Sequence, residues 1–142
     1  MSTAGGGVID DNVDNDLFDD VSSAETTTGD VEYRSLYLYN NHATITMQDL
    51  RLFFTSAADD LDIGVAAEAV DVTMATIANE STAPSSVTFS HPTTYAAGLQ
   101  ANSSTGLAAG SRRGFWVRRT IPASAPGEAA HTETLKAQWD SL

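Results

Sequence analysis

The sequence predicts an all-β domain, a sandwich of two sheets, preceded by an acidic N-terminal arm. Three observations carry this. From residue 31 onward, apolar and polar residues alternate with a period of two in short runs separated by turn-forming residues. No stretch of eleven or more residues shows convincing helical periodicity. Ala66–Ala78 comes nearest, and its Val and Thr content argues for extended chain. The first 32 residues hold nine acids and no Lys or Arg. Six to eight short strands punctuated by turns indicate two packed sheets, and no internal repeat of fixed period suggests a solenoid.

Residues 1–30 form the arm, rich in Gly, Ser, Thr and Asn, with Val8-Ile9 and Leu17-Phe18 as its tight apolar pairs. It has too little to bury to offset its own ordering entropy, so we expect it to be flexible in isolation. It reads either as a solubilising tail or as an arm that orders against a partner with Leu17 and Phe18 as anchors. Residues 31–142 form the domain. Val31–Asn40 is the first strand, with Tyr33, Ser35, Tyr37 and Tyr39 on one face and Arg34, Leu36 and Leu38 on the other. Asn40-Asn41-His42 is a turn.

Thr44–Phe54 follows as a strand whose apolar phase changes near Gln48-Asp49, from Ile45 and Met47 to Leu50, Leu52 and Phe54; that change predicts a bulge or break. After a polar loop at 56–60, Leu61, Ile63 and Val65 alternate, and Val70, Val72 and Met74 continue in period two. Residues 79–85 are a loop. Val87–Ser90 is a short strand stopped by Pro92, and 96–110 is a long connection of Ala, Gly, Ser, Asn and Leu. Gly114–Ile121 is a clear strand ended by Pro122. Pro126-Gly127 marks a turn, and Thr132–Trp139 alternates again.

The length of 142 residues and mass of 15.0 kDa fit one domain plus the arm. With no cysteine, the chain has no disulfide framework, thiolate zinc site or cysteine nucleophile. A net charge of −12 argues against broad nucleic-acid binding through phosphate neutralisation. No apolar run reaches the ~18 residues of a membrane span. The stretch MSTAGGGVIDDN lacks the basic start and apolar core of a secretory signal. Six Arg stand against one Lys, and 13 Asp against 6 Glu. That skew resembles proteins of salt-loving organisms or their viruses, although a GC-rich genome gives part of the same bias.

Arg112, Arg113, Arg118 and Arg119 concentrate four of seven basic charges within eight positions. They read as solvated charge, as a contact ribbon for an acidic partner such as a neighbouring copy's arm, or as a DNA contact. Phe115 and Val117 make the better core pair of that strand, which turns Trp116 outward beside Arg118. An outward Trp beside Arg is typical of binding surfaces, and the alternative is a Trp116 covered by a loop of its own chain.

Catalytic signals are weak. His42, His91 and His131 lack ligand-spaced neighbours, and there is no G-x-S-x-G elbow. Glu128 and Glu133 have no carboxylate partner for glycosidase work, and Gly5-Gly6-Gly7 is not a phosphate loop. Asp59-Asp60-x-Asp62 offers clustered carboxylates without an EF-hand pattern. Asn79-Glu80-Ser81 and Asn102-Ser103-Ser104 are glycosylation sequons in expected loops. We assign no catalytic, cofactor-binding or metal-binding residues; the candidate interface residues are Leu17, Phe18, Arg112, Arg113, Trp116, Arg118 and Arg119.

Tyr33-Arg34-Ser35-Leu36-Tyr37-Leu38-Tyr39-Asn40-Asn41-His42 and Gly114-Phe115-Trp116-Val117-Arg118-Arg119-Thr120-Ile121-Pro122-Ala123 resemble segments of small structural proteins of tailed viruses. In those proteins an opening strand ends in Asn-Asn-His, and a late W-V-R-R-T-[VI]-P-A strand follows a Gly-containing turn, here Ala109-Gly110-Ser111. The late segment is also similar to the penultimate strand of many immunoglobulin-like sandwiches. The resemblance spans about residues 31–142; the acidic arm and residues 66–84 match nothing in it. It implies an immunoglobulin-like or jelly-roll sandwich in a virion component, either a head decoration or cement protein or a tail or baseplate part. It implies no catalytic residues and no cofactor. The partners implied are major capsid or tail proteins of the same particle and further copies of this chain, with no direct nucleic-acid or membrane contact. The rival expectation is a receptor- or glycan-binding module of a fibre or surface protein, which needs aromatic side chains open to solvent.

Overall fold

The computed structural model describes residues 17–56, 60–101, 106–126 and 133–140. The described residues are all-β apart from one short helix. In order along the chain come α1 (Ser23–Thr28), β1 (Asp30–Tyr39), β2 (Gln48–Phe54), β3 (Leu61–Val65), β4 (Leu99–Gln100), β5 (Arg112–Ile121) and β6 (Leu135–Asp140). They form two three-stranded antiparallel sheets, ordered β1-β5-β3 and β4-β2-β6.

The expected alternation places the core. Leu36 of β1, Ile63 of β3, and Phe115 and Val117 of β5 meet Leu50, Leu52 and Phe54 of β2 in one buried cluster, against which Leu135 and Ala137 of β6 pack. The two sheets therefore share a core, and Phe115 and Val117 are its members as expected. The phase change in the second strand is a bulge: pairing with β6 shifts register between Gln48 and Arg51, and Asp49 takes a left-handed φ of 42°. Its carboxylate accepts from Arg51 Nε at 3.0 Å and from the Tyr95 hydroxyl at 3.1 Å. Asn40 closes the turn after β1, where its buried amide donates to the carbonyls of Ile45 and Leu107, both at 2.8 Å.

The structure corrects two local expectations and decides between two readings of a third. Val70, Val72 and Met74 form no strand, because Asp71 turns the chain at φ 64° and Val72 points to solvent. Val87–Ser90 shrinks to a single bridge between Ser90 and Ile63. Trp116 does not face solvent: it is 2% exposed, in a second buried cluster with Ala66 and Met74. Tyr33, Tyr37, Ile77, Val87 and Phe89 pack around that cluster. Residues 66–89 thus lie as an irregular cover over the outer face of β1-β5-β3. Tyr37 fastens it by accepting a hydrogen bond from the Met74 N–H at 2.8 Å, and the Tyr33 N–H donates to Glu80 O at 2.8 Å.

Asp59, Gly127, Glu128, His131, the sequon at 102–104 and the arm up to residue 16, including Gly5-Gly6-Gly7, lie outside the described residues.

Candidate functional site

The part of the arm that is described lies against the domain and is gripped by two arginines. Glu32 and Arg34 are two positions apart on β1, so both project from the face that also carries Leu36 and Leu38. Arg119 of β5 stands directly opposite Glu32 in the ladder. Phe18 is 8% exposed and belongs to the shared core. Its ring sits 5.4 Å from the Arg34 guanidinium and 4.8 Å from that of Arg119. Each such cation–ring contact is worth about 0.5–1 kcal/mol, and burying the ring contributes about 1.5–3 kcal/mol.

Backbone contacts fix the register of the arm. Arg34 Nε donates to Leu17 O at 3.1 Å, and Arg119 Nη1 donates to Asp19 O at 2.7 Å. The Asp19 carboxylate adds an ion pair to Arg119 at 3.4 Å. Behind the ring, Glu32 is 1% exposed and accepts from Arg119 Nε at 2.6 Å, and Arg119 Nη2 closes on the same oxygen. Arg34 lies 3.8 Å from the other Glu32 oxygen and pairs with Glu80 at 2.7 Å. Burial pushes the Glu32 carboxyl above the usual carboxylate range, while Arg119 and Arg34 pull it down.

After the clamp, Ser22 and Glu25 form a reciprocal capping box that starts α1. Its backbone and hydroxyl bonds from Ser22 hold the Glu25 carboxyl below its usual range. Gly29 ends the helix at φ 77°, where an added Cβ would lie 2.9 Å from Ala123 N and 3.0 Å from Ile121 O. No residue of α1 is buried, so the helix returns the chain to β1 without adding to the core.

The other arginines of the basic cluster are also engaged within the chain. Arg118 pairs with Asp62 across β5 and β3, at 2.5 Å and 3.1 Å, and its guanidinium lies 5.2 Å from the Phe89 ring. Arg112 lies 4.6 Å from the Tyr37 ring, and its N–H donates to the Asp71 carboxylate at 2.8 Å. Arg113 donates to Ala101 O and Ala66 O, each at 2.9 Å, and to Glu68 O. Burial draws the Arg113 pKa below the ordinary guanidinium value. Of the four, Arg119 alone touches the described part of the arm. Glu32 and Arg34, which the sequence reading passed over, complete the site; two charges flanking Leu36 and Leu38 on the core-facing side of a strand were the available signal.

The remaining candidates are structural in their contacts. His42 Nδ1 accepts from the N–H groups of Thr44 and Ile45 in the turn. His91 stacks on Phe54 with ring centroids 4.4 Å apart and places Nδ1 2.5 Å from Leu61 O and Nε2 3.3 Å from Ser56 O. Burial opposes charge on His91, but these carbonyls and the carboxylates of Glu133 and Asp62 outweigh it and raise the pKa above that of ordinary imidazole. Asp62 is committed to Arg118. Glu25, Asp30 and Glu32 bring carboxylate oxygens within 4.8 Å of one another, and each already accepts a hydrogen bond from the chain. A cavity of about 170 Å³ beside Trp116, lined by Glu68, Ile77, Pro84 and Val87 among others, is smaller than the ~300 Å³ at which small-molecule pockets begin. No helix among the described residues is long and apolar enough to cross a membrane.

No family model matches the chain, and neither does any curated protein or solved structure.

Proposed function

We propose that this chain is a non-enzymatic structural protein of a tailed virus particle, a capsid decoration or cement protein or a tail or baseplate component. In this reading it stabilises the particle by linking neighbouring subunits. Its two sheets form an immunoglobulin-like or jelly-roll sandwich that packs on the major capsid or tail protein. The observation that carries the proposal is the clamp: a short acidic segment, Leu17-Phe18-Asp19, seated between Arg34 and Arg119 of the domain.

A segment held this way can exchange between copies. Every contact it makes with its own domain would be reproduced on the identical clamp of a neighbour. The intervening α1 buries nothing, so lifting the arm about Gly29 uncovers Leu17, Phe18 and the Glu32–Arg119 pair, which a neighbour's arm would cover again. The strand motifs that resemble tailed-virus structural proteins lie in β1 and β5, the two strands that build the clamp. A glycan- or receptor-binding role fits less well. Among the described residues the exposed aromatic side chains are Tyr39 and Trp139, on different sheets, and they form no open cluster.

The test is localisation. Lysate of the source culture is fractionated on a density gradient and probed with an antibody against the domain. Co-migration with intact particles, in fixed ratio to their major protein, is the expected result. Recovery in the soluble fraction alone refutes the assignment.

A further inference from the structure

The sheet β4-β2-β6 ends at β6, and the direction of its backbone groups is fixed. The Thr55 N–H donates to Thr134 O at 3.0 Å, just before the strand begins, so residue 134 turns its polar backbone toward β2. By the alternation of an antiparallel ladder, residues 136, 138 and 140 do the same, and Leu135, Ala137 and Trp139 point their N–H and C=O groups away from the sheet. No described residue takes a backbone hydrogen bond from that outer row. An open edge of this kind is a template for another strand unless something blocks it.

The side chains select the strand. Lys136, the sole lysine of the sequence, and Asp140 stand on one face, and neither makes an ion pair among the described residues. On the other face, Ala137 is small and Trp139 is 43% exposed. A two-fold axis through Gln138 maps each of these onto its complement. We propose that the outer edge of β6 is a self-complementary docking surface that pairs antiparallel with β6 of a second copy. In this register Lys136 of each copy faces Asp140 of the other, and Ala137 faces Trp139.

The backbone agrees with this register. Centred on Gln138, the facing Ala137 and Trp139 are the residues whose N–H and C=O groups point outward, so they exchange four ladder hydrogen bonds. Gln138 faces its own copy at a position that needs none. Shifting the axis by one residue places Lys136 opposite Gln138 or Leu142 and loses both charge pairs. A lysine on an edge strand ordinarily discourages pairing; here the second copy supplies the carboxylate that neutralises it. The joined sheet has six strands. The contact is small, so it is weak between free chains and strengthens wherever copies are concentrated. It uses no residue of the arm clamp and stands independently of the assembly role.

The experiment is analytical ultracentrifugation of the full chain at low ionic strength, from ~10 µM to ~1 mM. A concentration-dependent dimer is expected. Ala137→Pro removes an outward N–H that β2 does not use, so the dimer should weaken at least tenfold while the circular dichroism spectrum and melting curve persist. Lys136→Asp and Asp140→Lys should each abolish the dimer, and the double exchange should restore it by reversing both pairs. A wild-type chain that stays monomeric at ~1 mM overturns the proposal. A dimer indifferent to Ala137→Pro seats elsewhere and overturns it as well, and failure of the double exchange to rescue overturns the Gln138 register.

Discussion

Glu32 and Arg119 face each other across β1 and β5, and the ring of Phe18 lies over the arginine, so a buried ion pair and the N-terminal arm share one guanidinium. The pair is nearly dry, with side-chain exposures of 1% and 13%. The arm is therefore part of what makes this buried charge tolerable. The Asp19 carbonyl accepts from Arg119 Nη1, which Glu32 does not engage, and its carboxylate shares Nη2 with Glu32.

Removing the ring should uncouple the arm. Phe18→Ala takes an aromatic side chain out of the shared core and opens Arg119 to water. We expect a loss of about 3 kcal/mol in urea unfolding. We also expect cleavage between residues 17 and 29 to appear under limited proteolysis while the two sheets remain intact. A variant with unchanged stability and an uncut arm would show that Phe18 is not an anchor.

Breaking the ion pair should cost more than replacing it. Glu32→Ala leaves Arg119 and Arg34 as like charges near an apolar core, and Arg119→Ala leaves Glu32 buried without its main partner. Each should destabilise by roughly 3–5 kcal/mol. The double replacement Glu32→Leu with Arg119→Met removes both charges and refills the volume. It should recover most of that loss, read as the midpoint of a guanidinium unfolding curve. Additive losses in the double variant would contradict a shared, desolvated pair.

The outer cover should come loose at Tyr37. Its hydroxyl accepts from the Met74 N–H, and its ring carries Arg112, so Tyr37→Phe keeps the packing and deletes one bond. A loss of about 1 kcal/mol is expected. Hydrogen exchange should accelerate at Met74 while the β1–β5 ladder stays protected.

The contrast between strands and cover shows what was legible in the sequence. β1, β3 and β5 were readable because each buries at least one alternating face, and β6 because Leu135 and Ala137, half-buried against the core, alternate with Lys136 and Gln138; the bulge in β2 was readable because a left-handed residue at Asp49 swaps the faces on either side of it. For Trp116 the sequence leaves two readings, outward beside Arg118 or covered by a loop of its own chain, and the second holds. Both faces of β5 are covered, one by the second sheet and one by residues 66–89, and no local pattern announces a cover that has no periodicity. Leu17-Phe18 stood out as an apolar pair in an acidic segment. What it docks against was hidden, because Arg34 is 17 residues from Leu17 and Arg119 is 100 from Asp19. Alternation reports which way a side chain points, not which distant strand lies there.

His91 should make stability depend on pH. Both of its ring nitrogens face carbonyl oxygens, Leu61 O and Ser56 O, and a neutral imidazole has one N–H to offer. The protonated ring satisfies both, and the stacked Phe54 holds it in place. Its folded-state pKa is therefore raised above the unfolded value of about 6.5. The native state binds the proton more tightly, so the contribution is fully present below the unfolded pKa and is lost as pH rises through the folded one. Urea midpoints measured across neutral pH should fall with rising pH in that window. His91→Phe keeps a ring on Phe54 and removes the titration, so its curve should be flat where the wild-type curve slopes. A slope that survives in His91→Phe would assign the pH dependence to another group.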